Sequence, residues 1–309
     1  MDIYRAAGEI PSPPAVRAVA IGNFDGLHLG HRRIIERLRK GAKALGLPAS
    51  VLTFSPHPEK VFGPERLRMI QTLDQRLRGL GEWGIDAAVV WPFDRTFARL
   101  DGEAFAAGIL AARLNARLVI VGDDFRFGRG RSAGPAALKR LGRVHGFSVV
   151  AVPRLKRRGR TVRSSLIRSH LAAGRIEEAA GLLGRPYAIE GSVVAGQGIG
   201  RRLGYPTANI ATANEILPRG IFVTTLEWKG RRYPSVTSIG VRPTFGKGAL
   251  TVECHLLDFH RDIYREPVRL MFLRRLRGEK KFRSAEALRA RIAGDEAAAR
   301  AYFRRRPHL

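Results

Sequence analysis

Apolar and polar residues change places in a regular way along the first 183 positions. Short apolar runs at residues 16–21, 49–54, 87–91, 118–122 and 148–152 predict strands. Between them, residues 28–46, 72–82, 101–114 and 134–145 predict helices. In the first of these, Ile34, Ile35, Leu38 and Leu45 recur at helical spacing among Arg and Lys. Strands alternating with helices predict βαβ units and a parallel sheet. Around Leu183-Gly184-Arg185-Pro186 the pattern changes. Short strands then follow at 188–194, 221–228, 234–239, 250–257 and 268–273, separated by Gly and Pro. That spacing predicts an antiparallel barrel or sandwich. The last stretch, from Ser284 to about Tyr302, predicts a helix capped by Ser284, with Leu288 and Ile292 as its apolar stripe. The expected architecture is an α/β domain over residues 1–184 and a small antiparallel β-barrel with a terminal helix over residues 185–309.

Composition narrows the chemistry. The chain has 309 residues, of which 45% are hydrophobic, enough for two cores. Lys and Arg number 55 against 27 Asp and Glu, a net charge of +28, and such a field attracts polyanions. Nucleic acid is the general expectation and nucleotides with pyrophosphate the sharper one. The charge is spread along the chain and is mostly Arg, with no interleaved aromatic–basic repeat of the RNA-binding kind. One cysteine, Cys254, excludes an intramolecular disulfide and fits a reducing cytoplasm. No apolar run reaches membrane-span length, and the start Met1-Asp2-Ile3-Tyr4-Arg5 lacks a signal-peptide core. A soluble cytoplasmic protein without nucleic-acid or membrane partners is expected, its oligomeric state left open.

In α/β sheets, ligands bind beyond the carboxyl ends of strands. Ala20-Ile21-Gly22-Asn23-Phe24-Asp25-Gly26-Leu27-His28-Leu29-Gly30-His31 lies there, between the first strand and its helix. Gly22 and Gly26 allow a tight bend and close ligand approach. Asp25 is expected to cap the helix. His28 and His31, three apart, share a face of its first turn, where free N–H groups suit a phosphate. The other role for such a pair is capping or metal binding, but zinc usually takes three or four ligands, and no other Cys or His lies close in sequence. Neither a Walker A pattern nor G-x-G-x-x-G is present, even at the glycines of 196–204. The phrase Phe24-Asp25-x-x-His28-x-Gly30-His31 resembles the signature of the HxGH nucleotidyltransferases.

Three further stretches fall after strands or at a helix start. Ser55-Pro56-His57-Pro58 offers His57 either as a rigid turn or as a pocket wall. Gly122-Asp123-Asp124-Phe125-Arg126-Phe127-Gly128 offers Asp124 for a ligand's polar edge. In it, Phe125 and Phe127 are expected in the core, while Arg126, Arg129 and Arg131 suit phosphates. In Val162-Arg163-Ser164-Ser165-Leu166-Ile167-Arg168, Ser164 is expected to cap a helix running to about Ala173. Those serines and Arg168 suit a leaving pyrophosphate, although an ordinary capped helix reads the same way.

The barrel half has its own constellation. Gly200-Arg201-Arg202-Leu203-Gly204-Tyr205-Pro206-Thr207-Ala208-Asn209 is a glycine-rich loop ending in polar side chains. Thr207 and Asn209, two apart, point the same way in an extended strand and carry hard oxygen ligands suited to Mg²⁺ on a nucleotide. Strand alternation puts Val252, Cys254 and Leu256 on one face, with Glu253 and His255 on the other. Glu253 is then either a solvated carboxylate or a base for a hydroxyl proton. Arg242-Pro243-Thr244-Phe245 is a constrained turn able to close over a ligand.

Taken together, these phrases resemble the bacterial bifunctional riboflavin kinase/FAD synthetase family. GNFDGLHLGH, TFSPHP and GDDFRFG come first, followed by GRRLGYPTANI, LPRGIF, IGVRPTFG and VECHLLDF, in the family order over nearly the whole chain. Two positions depart from the family pattern: Leu166 stands where a second Arg is usual, and Arg163 where a small hydroxyl residue is common. The resemblance implies a Rossmann-like nucleotidyltransferase domain and a riboflavin kinase barrel. It implies that Glu253 is the kinase base and that Thr207 and Asn209 hold Mg-ATP. It implies that His28 and His31 stabilise the triphosphate while FMN and ATP react to FAD and pyrophosphate. Gly22, Phe24, Asp25, His57, Asp124, Arg126, Ser164, Arg168, Gly200, Gly204 and Arg242 are the expected substrate and nucleotide contacts. Two readings stand beside it: a single-activity nucleotidyltransferase whose barrel only binds, and a basic RNA-binding protein.

Overall fold

The computed structural model describes residues 1–5, 7–11, 14–63, 67–196, 200, 204–241, 250–280 and 282–306. Arg201, Arg202, Leu203 and the turn from Arg242 to Phe245 lie outside the described residues. Two compact units divide at Ser164/Ser165. The expected change of pattern falls some twenty residues later, because the helices Ser164–Ala172 and Ile176–Leu183 separate the sheet from the first barrel strand.

The first unit is a parallel sheet of six strands among the described residues. They are β1 (Asp2–Tyr4), β2 (Arg17–Ile21), β3 (Ala49–Ser55), β4 (Ala87–Pro92), β5 (Ala116–Gly122) and β6 (Ser148–Val152). Their order is β1-β4-β3-β2-β5-β6. Central β2 is buried along its whole length, as a strand covered on both faces must be. Its residues alternate between two cores. Val19 and Ile21 join one with Leu52, Val119, Phe105 and Leu138, while Ala18 and Ala20 join the other with Val51, Ile120, Ile35 and Leu38.

The helices of this unit are α1 (Leu29–Leu45), α2 (Pro58–Phe62), α3 (Leu73–Glu82), α4 (Gly102–Ala104) and α5 (Pro135–His145), of which α1 supplies Ile35 and Leu38 and α5 supplies Leu138 to those cores. Helix α4 continues as a π-helix, Phe105–Arg113. Each start is encoded locally; Thr72 and Gln75, for example, form a reciprocal capping box at α3. A small hairpin, β7 (Lys156–Arg157) and β8 (Arg160–Thr161), precedes α6 (Ser164–Ala172).

The second unit holds α7 (Ile176–Leu183) and a closed barrel. Its strands are β9 (Tyr187–Val194), β10 (Ala208–Thr212), β11 (Gly220–Trp228), β12 (Arg231–Val241), β13 (Leu250–Leu256) and β14 (Pro267–Arg277). They close in the order β10-β13-β12-β11-β14-β9. Tyr187, Phe222 and Phe272 fill the interior ring against ring. A polar cluster is also enclosed: Thr224 Oγ1 lies 2.8 Å from Ser235 Oγ and 2.7 Å from Thr237 Oγ1. These hydroxyls surround the thiol of Cys254; burial raises its pKa, and their hydrogen bonds only partly oppose that.

Ser284 caps the terminal helix α8 (Ala285–Arg304), as its sequence predicts, by accepting the Ala287 N–H. Beyond Leu288 and Ile292 the stripe continues to Ala299, which packs on Val223 and Leu257 outside the barrel. Arg277 fixes the helix by donating from Nε and Nη2 to buried Asp295, at 3.0 and 2.6 Å.

Candidate active sites

A cavity of about 640 Å³ opens at the carboxyl end of the parallel sheet. Gly22, Phe24, His28, Gly30, His31, His57, Asp124, Arg126 and Ser164 all line it. The turn after β2 makes this possible. Phe24 and Leu27 hold the unusual positive φ values 50° and 42°, and Gly26 holds 88°. A side chain at Gly26 would also meet Ile70, only 2.9 Å from where its Cβ would sit. The fully buried Phe24 ring folds over Gly22 and meets His31 edge-on at 5.3 Å between centroids.

Asp25 does not cap α1. Its buried carboxylate instead accepts the backbone N–H of Ile70 (3.0 Å) and of Gln71 (3.2 Å), tying the loop before α3 to the turn. The cap is His28, whose Nδ1 accepts the His31 N–H at 3.1 Å. Asp25 lies three residues too early, inside the turn, to reach the first helical N–H groups. An accepting Nδ1 leaves the ring proton of neutral His28 on Nε2. The two imidazoles stack with centroids 3.6 Å apart and planes 12° from parallel. They lie over the first turn of a 17-residue helix with no acidic residue in that turn, so the positive end of its dipole is uncompensated.

His57 is both of the things its sequence allowed. It caps α2 by accepting the Glu59 N–H at 3.2 Å, and it lines the cavity. The carboxylates after β5 separate in role. Asp123 pairs with Arg154 at 3.1 Å, whereas Asp124 folds back towards Gly122 and faces the cavity. Arg126 and Arg131 line the wall; Arg129 does not. Phe127 belongs to the core and Phe125 packs against it, as expected, with the two rings stacked at 5.6 Å.

Ser164 is the first residue of α6 and not its cap. Its hydroxyl donates to the Asp25 carbonyl at 2.9 Å, because helical geometry begins at Ser164 itself and aims the side chain at the preceding turn. Arg168 lies one turn further along the same helix.

The pattern-based reading missed an aromatic wall. Phe54, Phe93, Phe97 and Phe105 line the cavity beside Phe125 and Phe127. Phe93 touches Phe54 and Phe97 ring to ring at 5.7 and 5.4 Å. Phe93 and Phe97 follow β4 directly, so the rule that drew attention to residues after the other strands applied here too. Arg76 supports this wall from below. It is 3% exposed and donates to the carbonyls of Asn23 (2.5 Å) and Phe54 (3.3 Å). Burial pulls its pKa down, and Asp25 opposes that shift.

In the barrel, Val252, Cys254 and Leu256 point inward, and Glu253 and His255 occupy the other face, half-buried. Asn209 of β10 pairs with Glu253 of β13, and Ala208 with Cys254. Thr207 directly precedes β10. His255 Nδ1 lies 2.8 Å from the Pro206 carbonyl, which fastens the segment leading to Thr207. A Cβ on Gly196 would fall 2.0 Å from Asn209 Nδ2, so only glycine lets the backbone pass so close to that amide. Gly204 is an exposed turn residue with φ 85°.

The comparisons with known proteins follow the same division. The FAD synthetase family pattern matches residues 11–166, and the Riboflavin kinase pattern matches residues 183–303. A bifunctional riboflavin kinase/FMN adenylyltransferase of Escherichia coli strain K12 is 34% identical over 307 residues, covering 98% of both chains. The chain belongs to the bifunctional riboflavin kinase/FMN adenylyltransferase family. A Pseudomonas fluorescens member of this family is 39% identical over 283 residues, 91% of each chain. Among solved structures, a Streptococcus pneumoniae chain described as a macrolide-efflux protein matches with a TM-score of 0.87 and 30% identity. That likeness covers 96% of this chain and 98% of that one. Its description names transport; among the described residues here, no helix is long and apolar enough to cross a membrane.

Proposed function

We propose that this bifunctional enzyme divides its two reactions by domain, with adenylyl transfer in residues 1–184 and the kinase in residues 185–309. Riboflavin is phosphorylated to FMN, and FMN is adenylylated to FAD. The observation that carries the division is that each half assembles its own motif residues on a single feature: the cavity of the sheet, and the outer face of β10 and β13.

In the adenylyl transfer, a phosphate oxygen of FMN attacks the α-phosphorus of ATP. A new P–O bond forms there as the bond to the departing pyrophosphate breaks. A phosphate dianion is already a nucleophile, so no strong base is needed. Charge grows on the leaving group, and His28 and His31 at the start of α1 donate hydrogen bonds to it. Arg126 and Ser164 line the same space and add donors, with Arg168 a turn beyond Ser164. Asp124 accepts from a polar edge of a substrate, and the phenylalanine wall suits a flat apolar ring.

In the kinase, Glu253 accepts the proton of the ribityl 5′-hydroxyl as that oxygen attacks the γ-phosphorus of ATP. Thr207 and Asn209 fit a Mg²⁺ ion bound to the nucleotide. They offer neutral oxygens, and the missing Cβ of Gly196 leaves the Asn209 amide its place. When bound, Mg²⁺ draws charge from the phosphate oxygens. Gly200 and Gly204 stand shortly before Thr207 in the sequence, and with Arg242 they add substrate and nucleotide contacts. A cytoplasmic location agrees with the lone, buried, reduced Cys254.

The test is incubation of purified protein with riboflavin, ATP and Mg²⁺, followed by chromatography. Both FMN and FAD should appear, with FMN first. No FMN from riboflavin overturns the kinase reading, and no FAD from supplied FMN overturns the adenylyl reading.

A further inference from the structure

The hairpin β7–β8 has no part in the chemistry described above, yet it is built directly on the cavity wall. Arg154, Leu155, Val162 and Arg163 line the cavity, and the Val162 N–H donates to the Leu155 carbonyl at 2.9 Å, closing the hairpin's base. Beyond that base, Lys156 pairs with Thr161 and Arg157 with Arg160. Arg158 and Gly159 make the turn, with φ 48° and 74°. Lys156, Arg157, Arg158 and Arg160 are all exposed. Residues 154–163 contain six basic side chains and no carboxylate. Arg154 at the base is paired with Asp123, and the four exposed basic residues beyond it make the hairpin a cationic arm rooted at the cavity.

Both adenylyl-transfer substrates are anions: FMN carries a phosphate and ATP a triphosphate. Each must enter a cavity in which the other's charge repels it. We propose that the β7–β8 arm captures FMN and Mg-ATP electrostatically at this cavity. The proposal rests on the reading of the cavity as the adenylyl-transfer site. Two strand residues place the tip roughly 7 Å beyond the base. That is within the screening length of about 10 Å at 0.1 M salt, and beyond the roughly 3 Å that remains at 1 M. Charges at this distance act through their field and not through fitted hydrogen bonds. They raise the local concentration of anions and lower KM, without touching the reacting atoms.

The test uses the full chain with Lys156, Arg157, Arg158 and Arg160 all changed to Gln. FMN-to-FAD conversion is measured with Mg-ATP at low and high ionic strength, and a denaturant melt of the first unit that matches the parent's reports that the domain carrying the hairpin is folded. At low salt, KM for FMN should rise about fivefold or more while kcat stays constant; at high salt the variant and the parent should converge. A second variant, Arg157→Lys, Arg158→Lys and Arg160→Lys, keeps the charge and should keep the parent's KM. An unchanged KM at low salt overturns the proposal, as does an equal loss at both salt levels or a loss in the lysine variant. If the parent itself makes no FAD, the reading of the cavity fails instead.

Discussion

Asn209 and Glu253 stand directly opposite each other on neighbouring antiparallel strands, so their side chains leave the barrel on the same side. Facing pairs of this kind have Cβ atoms roughly 5 Å apart. A carboxylate able to take a proton therefore lies beside an amide able to hold a nucleotide's metal. Cys254, one residue along, points the opposite way into the core.

Glu253→Gln keeps the shape and removes the base. Formation of FMN from riboflavin should fall by roughly a hundred- to ten-thousandfold. Conversion of supplied FMN to FAD should continue at near the parental rate, since that substrate is already phosphorylated. Both are read by chromatography; normal riboflavin phosphorylation would make Glu253 an ordinary strand carboxylate.

His28 is both helix cap and cavity wall, and His28→Asn separates the two. Asparagine caps well, so the melting temperature should stay close to the parent's. The imidazole donor is lost, and FAD synthesis should fall on the order of a hundredfold. His31→Ala should lose activity to a similar degree. Riboflavin phosphorylation should be unaffected in both, and unchanged FAD synthesis would remove these rings from the reaction.

Asp25→Asn tests a structural role. The carboxylate accepts the N–H groups of Ile70 and Gln71, and an amide that turns its NH₂ towards them leaves a buried donor unmatched. A loss of about 1–3 kcal/mol is expected in denaturant melts of the first unit. A loss of activity at full stability would point to substrate contact instead.

The Cys254 thiol sets a pH dependence. Burial raises its pKa in the folded state above that of the unfolded chain. The unfolded chain therefore gives up this proton first as pH rises. The resulting stability is complete below about pH 8.5 and is lost above it, by up to roughly 1.4 kcal/mol per pH unit. Cys254→Ser, which keeps a small hydrogen-bonding group among Thr224, Ser235 and Thr237, should flatten the stability profile between about pH 8.5 and 10. An identical profile in the variant would rule the thiol out as its source.

Domain separation gives a further check. A fragment of residues 185–309 should make FMN but no FAD. A fragment of residues 165–309 also carries α7, whose Ile176 and Ala179 are fully buried. It should perform the same single reaction and melt at a higher temperature. FAD synthesis by either fragment would defeat the assignment.

The fold was largely legible in the sequence because its strands and helices carry their own periodicities. The apolar runs that became β2 to β5 are largely buried on both faces, and the 3.6-residue stripe of α1 ends at a left-handed Gly46. What escaped depends on distant partners. The three residues of β1 are strand only because β4 offers them an edge. The polar stretch of β10 is strand because β9 and β13 pair with it on both sides. The histidines, Glu253 and Asp124 stood out by residue type and by their positions after strands or on alternating faces. The role of Asp25 did not, because Ile70 and Gln71, which claim its carboxylate, are about 45 residues away.

The closed barrel turns residue number into a functional constraint. An open sheet can absorb an extra residue at its free edge, whereas a ring of strands has no such edge. One residue added within β13 would rotate Glu253 into the interior and push a buried neighbour out, even with every side chain kept. Length is therefore held more tightly along β10 and β13 than identity is at most of their positions. The Lys229-Gly230 hairpin turn, with φ 48° and 74°, lies outside that constraint. A tag or reporter inserted there would lengthen the chain without shifting the strands on which Asn209 and Glu253 face each other.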